Sequence, residues 1–218
     1  MASHLRVIDC VQGSDAWKRH RAGSITASRF ADVMATIASG EAKGRINYRA
    51  ELVCETLTHE PFEPSFQATA DMLRGIELEP EARAAYETVT MQKVTQVGLV
   101  MHPKYDRIKA SPDGLVGDEG LVEFKAPKTG THIHTLLTGV VPSEYKRQMW
   151  AQMLCCERKW CDFCSYDPRL PKEYQLIIFR FMRDEKEIIL MEAAALQFLA
   201  EVDQTIEQIK QQPVFRGI

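Results

Sequence analysis

The sequence predicts an α/β fold of the α+β kind, with a central mixed β-sheet flanked by helices and a long C-terminal helix. Apolar residues recur at helical spacing within residues 14–90, whereas short alternating segments typical of strands dominate residues 91–182. A helical stripe returns over residues 184–212. Because the 218 residues show no break in composition, we expect a single domain, residues 1–218, built from these three parts.

The predicted helices have periodic apolar positions and capping residues at their starts. Ser14 precedes the first helix, Pro142 and Ser143 open the fifth, and Asp184 caps the last. The predicted ranges are 15–21, 28–38, 48–58, 76–89, 142–156 and 184–211. The last helix carries an apolar stripe that indicates core or subunit packing, formed by Ile188, Met191, Ala195, Leu199, Val202, Ile206 and Ile209.

Strands are predicted over residues 94–102, 107–116, 121–126, 159–166 and 174–182. The second and third are separated by the turn-forming residues 117–120, Gly-Asp-Glu-Gly, and should form a hairpin.

Side chains on the second strand of this hairpin alternate between two faces. Glu123 and Lys125 therefore point one way, while Val122 and Phe124 point into a core. Asp113, on the adjoining strand, can reach the face of Glu123. The hairpin thus predicts a site where two carboxylates and an ammonium converge.

This arrangement favours phosphodiester hydrolysis. Mg²⁺ prefers oxygen ligands and takes few protein carboxylates, and a second ion can stabilise the leaving oxygen. We therefore expect Asp113 and Glu123 to bind metal and Lys125 to hold the attacking water; metal and phosphate nearby would decide whether Lys125 also acts as a base. The alternative is an exposed hairpin with a surface salt bridge, since Glu-x-Lys also occurs at 41–43, 144–146 and 157–159.

Charge and hydropathy exclude several classes of protein. A formal net charge of −3 argues against coating of nucleic acid by bulk positive charge, although it permits a local basic groove. The first residues lack a basic region followed by a long apolar run, and no segment approaches the length of a membrane span. We expect a soluble cytoplasmic protein.

The cysteines and a His-x-His pair raise the question of a structural metal site. Cys155, Cys156, Cys161 and Cys164 are close in sequence, but Cys161 and Cys164 should face opposite sides of a strand. We expect buried or half-buried free thiols. His132 and His134 lack a third well-spaced ligand and are expected in a loop or at a helix start.

Several ordered motifs resemble those of the phage lambda exonuclease, or YqaJ-like viral recombinase, family of PD-(D/E)xK nucleases. Residues 17–28 (WKRHRAGSITAS) resemble its W…R.G.ITAS opening, and residues 75–79 (GIELE) its GxxxE helix. The further matches are SPDG at 111–114, ExKxP at 123–127, a glutamine helix at 145–152 and YDPR at 166–169. Together the motifs span residues 17–169.

The resemblance implies a restriction-endonuclease-like core and a processive, Mg²⁺-dependent double-strand DNA exonuclease. Such an enzyme digests one strand from its 5' end, releases mononucleotides and leaves a 3' overhang for recombination by single-strand annealing. The resemblance also implies two metal ions per site with Mn²⁺ as a substitute, a homotrimeric ring, a phage annealing protein as partner and a bacterial host.

The family's catalytic positions fall on Glu79, Asp113, Glu123 and Lys125, with Gln148 near the metal, and Glu79 joins Asp113 and Glu123 as a metal ligand. Its pocket for the 5'-terminal phosphate falls on Arg21, Ser28 and Ser111, residue types that suit a phosphate dianion.

Some of these assignments leave alternatives open. Glu77 and Glu81 flank Glu79, Gln152 shares a helix face with Gln148, and without the family Arg21 could form a surface salt bridge and Ser28 a helix cap. Residues 130–141, which we expect to form a linker, and the cysteine-rich segment do not follow the family sequence closely.

Three other functions compete with the exonuclease. They are a sequence- or structure-specific DNA endonuclease on the same core, a catalytically silent module that binds DNA ends or protein, and a helical assembly protein. The silent module is disfavoured because a site without metal has no reason to hold like charges together. An assembly protein leaves the hairpin unexplained.

Overall fold

The structure is a computed structural model that describes residues 5–62 and 69–212. Its α-helices are α1 (Asp15–Arg21), α2 (Phe30–Val33), α3 (Lys43–Thr58), α4 (Ala70–Thr90), α5 (Thr129–Thr138), α6 (Ser143–Cys156) and α7 (Glu185–Lys210). Its strands are β1 (Arg6–Ile8), β2 (Ile25–Thr26), β3 (Val94–Thr95), β4 (Leu99–Met101), β5 (Ile108–Ala110), β6 (Gly114–Val116), β7 (Gly120–Lys125), β8 (Trp160–Tyr166) and β9 (Leu176–Met182).

The strands form two mixed sheets. The larger has five strands in the order β3-β6-β7-β8-β9, and the smaller has four in the order β1-β4-β5-β2. In the larger sheet β6 and β7 form the predicted antiparallel hairpin, and β7 is parallel to β8, to which it is joined through α5 and α6. The mixed α/β class and the long C-terminal helix are confirmed, although the expected central sheet is divided in two.

Two of the predicted strands are each split into two shorter strands, one in each sheet. Segment 94–102 becomes β3 and β4, and segment 107–116 becomes β5 and β6. Gly98 lies at the first division, where an added Cβ would clash with the Cys10 carbonyl oxygen. Pro112, which has no N–H for a sheet ladder, lies at the second. Residues 111–113 therefore link the two sheets, and this junction carries the Asp113 side chain.

Helices cover both faces of the larger sheet. Leu121 packs in a cluster with residues of α6 and α7, while Val122 and Phe124 pack on the other face with Ala82 and Tyr86 of α4. The alternation predicted for β7 is therefore present. The face of Leu121 also carries Glu123 and Lys125 and lies under α6.

Several helix boundaries differ from the predicted ones. The helix predicted over 28–38 is a 3₁₀ turn, Ala27–Arg29, followed by the short α2, whereas α3 and α4 begin earlier than predicted. Helix α5 lies in the segment that we expected to be a linker, and it ends at Gly139, whose φ is 64°. The cap of α7 is as predicted, because the Asp184 side chain accepts a hydrogen bond from Lys186 N at 2.9 Å.

The stripe on α7 packs mainly into the core. Six of its predicted members are buried, namely Ile188, Met191, Ala195, Leu199, Val202 and Ile206, whereas Ile209 is 46% exposed. Phe198, which the sequence stripe omitted, is fully buried and stacks on Tyr48 of α3 with a ring distance of 5.5 Å. Most of the stripe is therefore used within the chain.

The free cysteines are placed as expected. Cys155, Cys156, Cys161 and Cys164 are buried and unpaired, and Cys161 and Cys164 lie in different core clusters on opposite faces of β8. His132 lies within α5 and is buried, with one ring nitrogen 2.8 Å from Ser165 Oγ and the other 2.8 Å from the Tyr174 carbonyl oxygen. These contacts join α5 to the sheet.

Candidate active site

Glu123 on β7 lies at the centre of the candidate site, with its side chain 1% exposed. Two amides of α6 hold its carboxylate: Gln148 Nε2 donates to Oε1 at 2.6 Å, and Gln152 Nε2 donates to Oε2 at 2.6 Å. Lys125 forms an ion pair with Oε1. Because a buried carboxylate needs a partner on each oxygen, these contacts hold Glu123 in one orientation.

Asp113 faces the same strand from the junction between the sheets. Its Oδ2 atom accepts a hydrogen bond from Phe124 N at 2.7 Å. Burial raises the pKa of Asp113 well above its usual range, and the carboxylate of Glu123 raises it further. The two carboxylates therefore oppose each other's charge, a repulsion that a bound cation would relieve.

Lys125 completes the group of three charged side chains. Burial opposes its charge, but the carboxylates of Glu123 and Asp113 outweigh burial and raise the pKa of Lys125. Its Nζ atom also lies 5.3 Å from the centre of the Tyr145 ring. Lys125 is therefore held as an ammonium, which can donate hydrogen bonds.

A cleft of about 450 Å³ opens onto this group. Asp113, Lys125 and Tyr145 line it together with Glu79 of α4. The Glu79 carboxylate forms an ion pair with Arg83, one turn further along the helix. Among the three candidate glutamates of α4, Glu79 is the one that lines the cleft, since Glu77 is exposed and Glu81 accepts a hydrogen bond from Tyr166 Oη at 3.3 Å.

The carboxylates of Asp113, which lines the cleft, and of the buried Glu123 suit a hard divalent cation. Within residues 5–62 and 69–212, no three His, Cys, Asp or Glu side chains are arranged to hold a metal ion. The assignment of Asp113, Glu123 and Glu79 as metal ligands stays a prediction. Mg²⁺ needs only one or two protein carboxylates, with water and substrate phosphate completing its shell. Asp113 and Glu123 meet that requirement, and their mutual repulsion favours a cation beside them.

The structure brings the predicted phosphate-binding residues together beside this site. Arg21, Ser28 and Ser111 line a cavity of about 170 Å³, which we call the small cavity. Gln148 and Gln152, the amides that hold Glu123, line the same cavity. Gln148 and Gln152 thus both line the small cavity and contact the Glu123 carboxylate.

Arg21 is held in place by its neighbours. Its guanidinium lies 3.8 Å from the centre of the Trp17 ring, and its Nη2 donates to Thr26 Oγ1 at 3.2 Å. Trp17 Nε1 also donates to Ser111 Oγ at 2.8 Å, which leaves the hydroxyl hydrogen of Ser111 available for a ligand. Burial lowers the pKa of Arg21, and an anion in the small cavity would offset that cost.

The family model of the YqaJ-like viral recombinase domain matches residues 16–159. The chain belongs to this family. Membership places it among the lambda-exonuclease-like nucleases, in agreement with the resemblance described above.

Solved structures support this assignment. A crystal structure of an alkaline exonuclease, LHK-Exo from Laribacter hongkongensis, is 47% identical, covers 91% of this chain and 97% of its own chain, and has a TM-score of 0.83. LHK-Exo in complex with dAMP gives the same identity, coverage and score. A phage-related exonuclease from Haemophilus somnus 129PT, 13% identical with a TM-score of 0.66, covers 85% of this chain and 96% of its own, and shows the fold alone. A search of curated proteins found no match.

The sequence left the role of one site residue open and did not indicate the roles of others. Gln152 was an alternative to Gln148, yet both amides reach Glu123, as their spacing of four on α6 allows. Tyr145 lies one turn before Gln148 on the same helix face, which could have indicated its place in the cleft. The supporting roles of Trp17 and Thr26 depend on contacts that only the fold creates.

Among the described residues, no helix is both long enough and apolar enough to cross a membrane.

Proposed function

We propose that this chain is a Mg²⁺-dependent, processive 5'-to-3' double-strand DNA exonuclease that releases 5'-mononucleotides and leaves 3' overhangs. One observation carries the proposal: the two amides that hold Glu123 also line the small cavity that contains Arg21. An anion-binding cavity therefore lies next to the group of charged residues that can hydrolyse a phosphodiester. Such adjacency suits an enzyme that recognises a terminal phosphate and cuts nearby.

The small cavity has the chemistry of a terminal phosphate site. Arg21 supplies a guanidinium that is already oriented by Trp17, and Ser28 and Ser111 supply hydroxyl groups. A 5'-terminal phosphate bound there would place the first phosphodiester of that strand towards Glu123. Release of one nucleotide per cut would follow, and the opposite strand would remain as a 3' overhang.

Asp113 and Glu123 would hold the cation, with Glu79 within reach across the cleft once it leaves Arg83. When bound, Mg²⁺ supplies positive charge to the non-bridging phosphate oxygens and to the leaving oxygen. We extend the proposal to two ions per site and to Mn²⁺ as a substitute, because carboxylates and water suit both metals.

The side chains that surround the carboxylates have separate roles in this proposal. Lys125, held as an ammonium, donates a hydrogen bond to the attacking water and orients it. Gln148 keeps the Glu123 carboxylate facing the substrate through its bond to Oε1. Tyr145 lines the cleft beside Lys125 and limits the access of bulk water to it.

The proposal extends to partners and place. Overhangs of this kind are substrates for single-strand annealing, so we propose a phage-type annealing protein as partner and the cytoplasm of a bacterial host as the location. The resemblance to the family implies three subunits, so we propose a homotrimeric ring. In a chain with a net charge of −3, such a ring would collect the basic residues of each subunit around the DNA.

A duplex with one phosphorylated 5' end tests the activity and its polarity. Linear duplex DNA that carries a 5' phosphate on one strand and a distinct label on each strand is incubated with Mg²⁺. We expect loss of the phosphorylated strand, mononucleotide products and survival of the other strand.

Covalently closed circular DNA of the same sequence is the control for the endonuclease alternative. The exonuclease should leave it intact, whereas nicking or linearisation of the circle would overturn the proposal. Omission of metal, or excess EDTA, should stop digestion of the linear duplex, and Mn²⁺ should restore it.

A further inference from the structure

Gln152 differs from the other residues around Glu123 because its side-chain oxygen is both buried and without a hydrogen-bond partner among the described residues. It is completely buried, and its Nε2 atom donates to Glu123 Oε2 at 2.6 Å. Its Oε1 atom is also buried and accepts no hydrogen bond from residues 5–62 or 69–212. Buried amide oxygens are almost always paired in folded proteins, so an unpaired one indicates a partner that arrives from outside.

The place of Gln152 indicates where that partner would bind. Gln152 lines the small cavity together with Arg21 and Ser111, the residues proposed to receive a 5'-terminal phosphate. One planar amide therefore contacts the catalytic carboxylate and borders the phosphate cavity. A ligand that fixes this amide also fixes the direction from which Glu123 Oε2 receives its hydrogen bond.

We propose that Gln152 is a positioning residue that couples occupancy of the small cavity to the orientation of Glu123, an inference that rests on the proposed exonuclease function. When a 5'-terminal phosphate fills the cavity, a hydroxyl group or water that the phosphate orders donates to Gln152 Oε1. Both the Nε2 and the Oε1 atoms of Gln152 then form hydrogen bonds, and the orientation of the Glu123 carboxylate is fixed through Nε2. A 5'-hydroxyl end leaves the phosphate position empty, and the amide is held only by Glu123.

This coupling separates two effects of the terminal phosphate. Arg21 provides the charge that binds the phosphate, so it governs the difference in affinity between phosphorylated and hydroxyl ends. Gln152 governs the difference in the rate constant once the end is bound. Gln148 also borders the cavity and holds Glu123, but its acceptor oxygen is not among the buried unpaired atoms of the described residues, so it should affect both kinds of end equally.

The test is a kinetic comparison of Gln152→Met with the parent protein and with Gln148→Met. Methionine keeps the length of glutamine and removes both hydrogen-bonding atoms. Single-turnover digestion with Mg²⁺ gives the maximal rate constant and the half-saturating concentration for 5'-phosphorylated and 5'-hydroxyl ends. Fluorescence anisotropy of the same duplexes in EDTA gives binding without cleavage.

We expect Gln152→Met to lower the maximal rate constant on phosphorylated ends about tenfold or more, a typical loss when a group behind a metal ligand is removed. The ratio of maximal rate constants between phosphorylated and hydroxyl ends should fall towards one. The ratio of affinities should stay as in the parent. Gln148→Met should lower both rate constants and preserve their ratio.

The proposal is overturned if Gln152→Met keeps the parental ratio of rate constants, or if the parent itself shows no effect of the phosphate on that constant. Circular dichroism and melting temperature establish that each variant is folded, and Gln152→Leu serves as a second replacement. Unfolding of both variants would assign Gln152 to the core and would also count against the coupling. Failure of the parent to digest linear duplex at all would instead refute the proposed function.

Discussion

At the scale of single residues, the site is built around one carboxylate whose oxygens have different partners. Glu123 Oε1 accepts a hydrogen bond from Gln148 and pairs with Lys125, whereas among the described residues Oε2 accepts a hydrogen bond from Gln152 alone. The two amides can therefore hold the carboxylate in place even when the ammonium is removed. This separation allows the contribution of Lys125 to chemistry to be measured apart from its contribution to structure.

Lys125→Ala should abolish strand degradation while DNA-end binding stays nearly intact. The ammonium proposed to hold the attacking water is lost, but Asp113 and Glu123, the proposed metal ligands, remain. We expect the single-turnover rate to fall at least about 100-fold, the usual contribution of a positioned proton donor or acceptor. Asp113→Ala is the matched comparison and should also lose metal binding in calorimetry. A rate close to the parent's for Lys125→Ala at saturating Mg²⁺ would contradict this assignment.

Arg21→Ala should slow digestion of 5'-phosphorylated ends to nearly the rate on 5'-hydroxyl ends. A charge-assisted hydrogen bond of about 1.5–3 kcal/mol corresponds to a loss of roughly 10- to 100-fold on the phosphorylated substrate. The hydroxyl substrate should be affected little. Lys18→Ala removes a partly exposed cation from the same helix and serves as the control. Equal slowing on both substrates would mean that Arg21 supports the fold or general DNA contact.

At the scale of elements, the sequence predicted those features that depend on neighbouring residues. The β6–β7 hairpin follows from its turn residues 117–120 and from alternation along β7, and these placed Asp113 beside Glu123 correctly. Helix α6 follows from apolar periodicity, and its spacing indicated that Gln148 or Gln152 approaches the site. Local patterns were sufficient for this part of the site.

Other elements could not be predicted because they depend on distant partners. Strand β1 exists by pairing with β4, with Arg6 opposite Met101, and nothing local marks it. The splitting of two predicted strands between two sheets likewise depends on which distant strands pair, and this cannot be read from neighbouring residues. The ion pair between Glu79 and Arg83 could have been predicted, because residues four apart lie on the same face of a helix. The proximity of Arg21 and Ser111 could not, because they are distant in sequence and only the fold brings them to one cavity.

Helices α3 and α7 are joined by an ion-pair network that should contribute stability. Arg45 donates to Glu201 at 2.7 and 3.0 Å, and Arg49 joins Glu201 to Glu41. We expect Glu201→Gln to lower the free energy of unfolding by about 1 kcal/mol, or roughly 2–4 °C in melting temperature for a chain of this size. Glu207→Gln removes a largely exposed pair with Lys210 on the same helix and should change little.

The difference in stability between the parent and Glu201→Gln should depend on pH in a defined direction. Arg45 holds the pKa of Glu201 below its usual range, and Arg49 does the same for Glu41. Carboxyls with a lowered pKa stabilise the fold above their unfolded pKa, near 4.3, and lose that effect as pH falls through the folded value. Melting curves should therefore show the parent and Glu201→Gln converging between about pH 5 and pH 3. A constant difference over that window would contradict the role of the network.

At the scale of the whole molecule, the proposed processivity requires the enzyme to stay on its DNA although this chain has a net charge of −3. A closed ring of identical subunits offers a physical solution. Cyclic symmetry brings the few basic residues of each subunit to one central channel, where walls of low dielectric raise the local potential. Acidic surface would then face outward and keep the assembly soluble.

The ring should be a trimer. Its processivity on DNA should fall with added salt more strongly than its rate of phosphodiester hydrolysis. Mass measurement at working concentration should give three times the chain mass of 24.8 kDa. Added salt screens exposed phosphate contacts, so the number of nucleotides removed per binding event should fall as salt rises. The single-turnover rate of the first cut should change less, because Glu123 and Lys125 are largely shielded from solvent. A monomer that degrades long duplexes without dissociating would refute the ring, since nothing would then enclose the DNA.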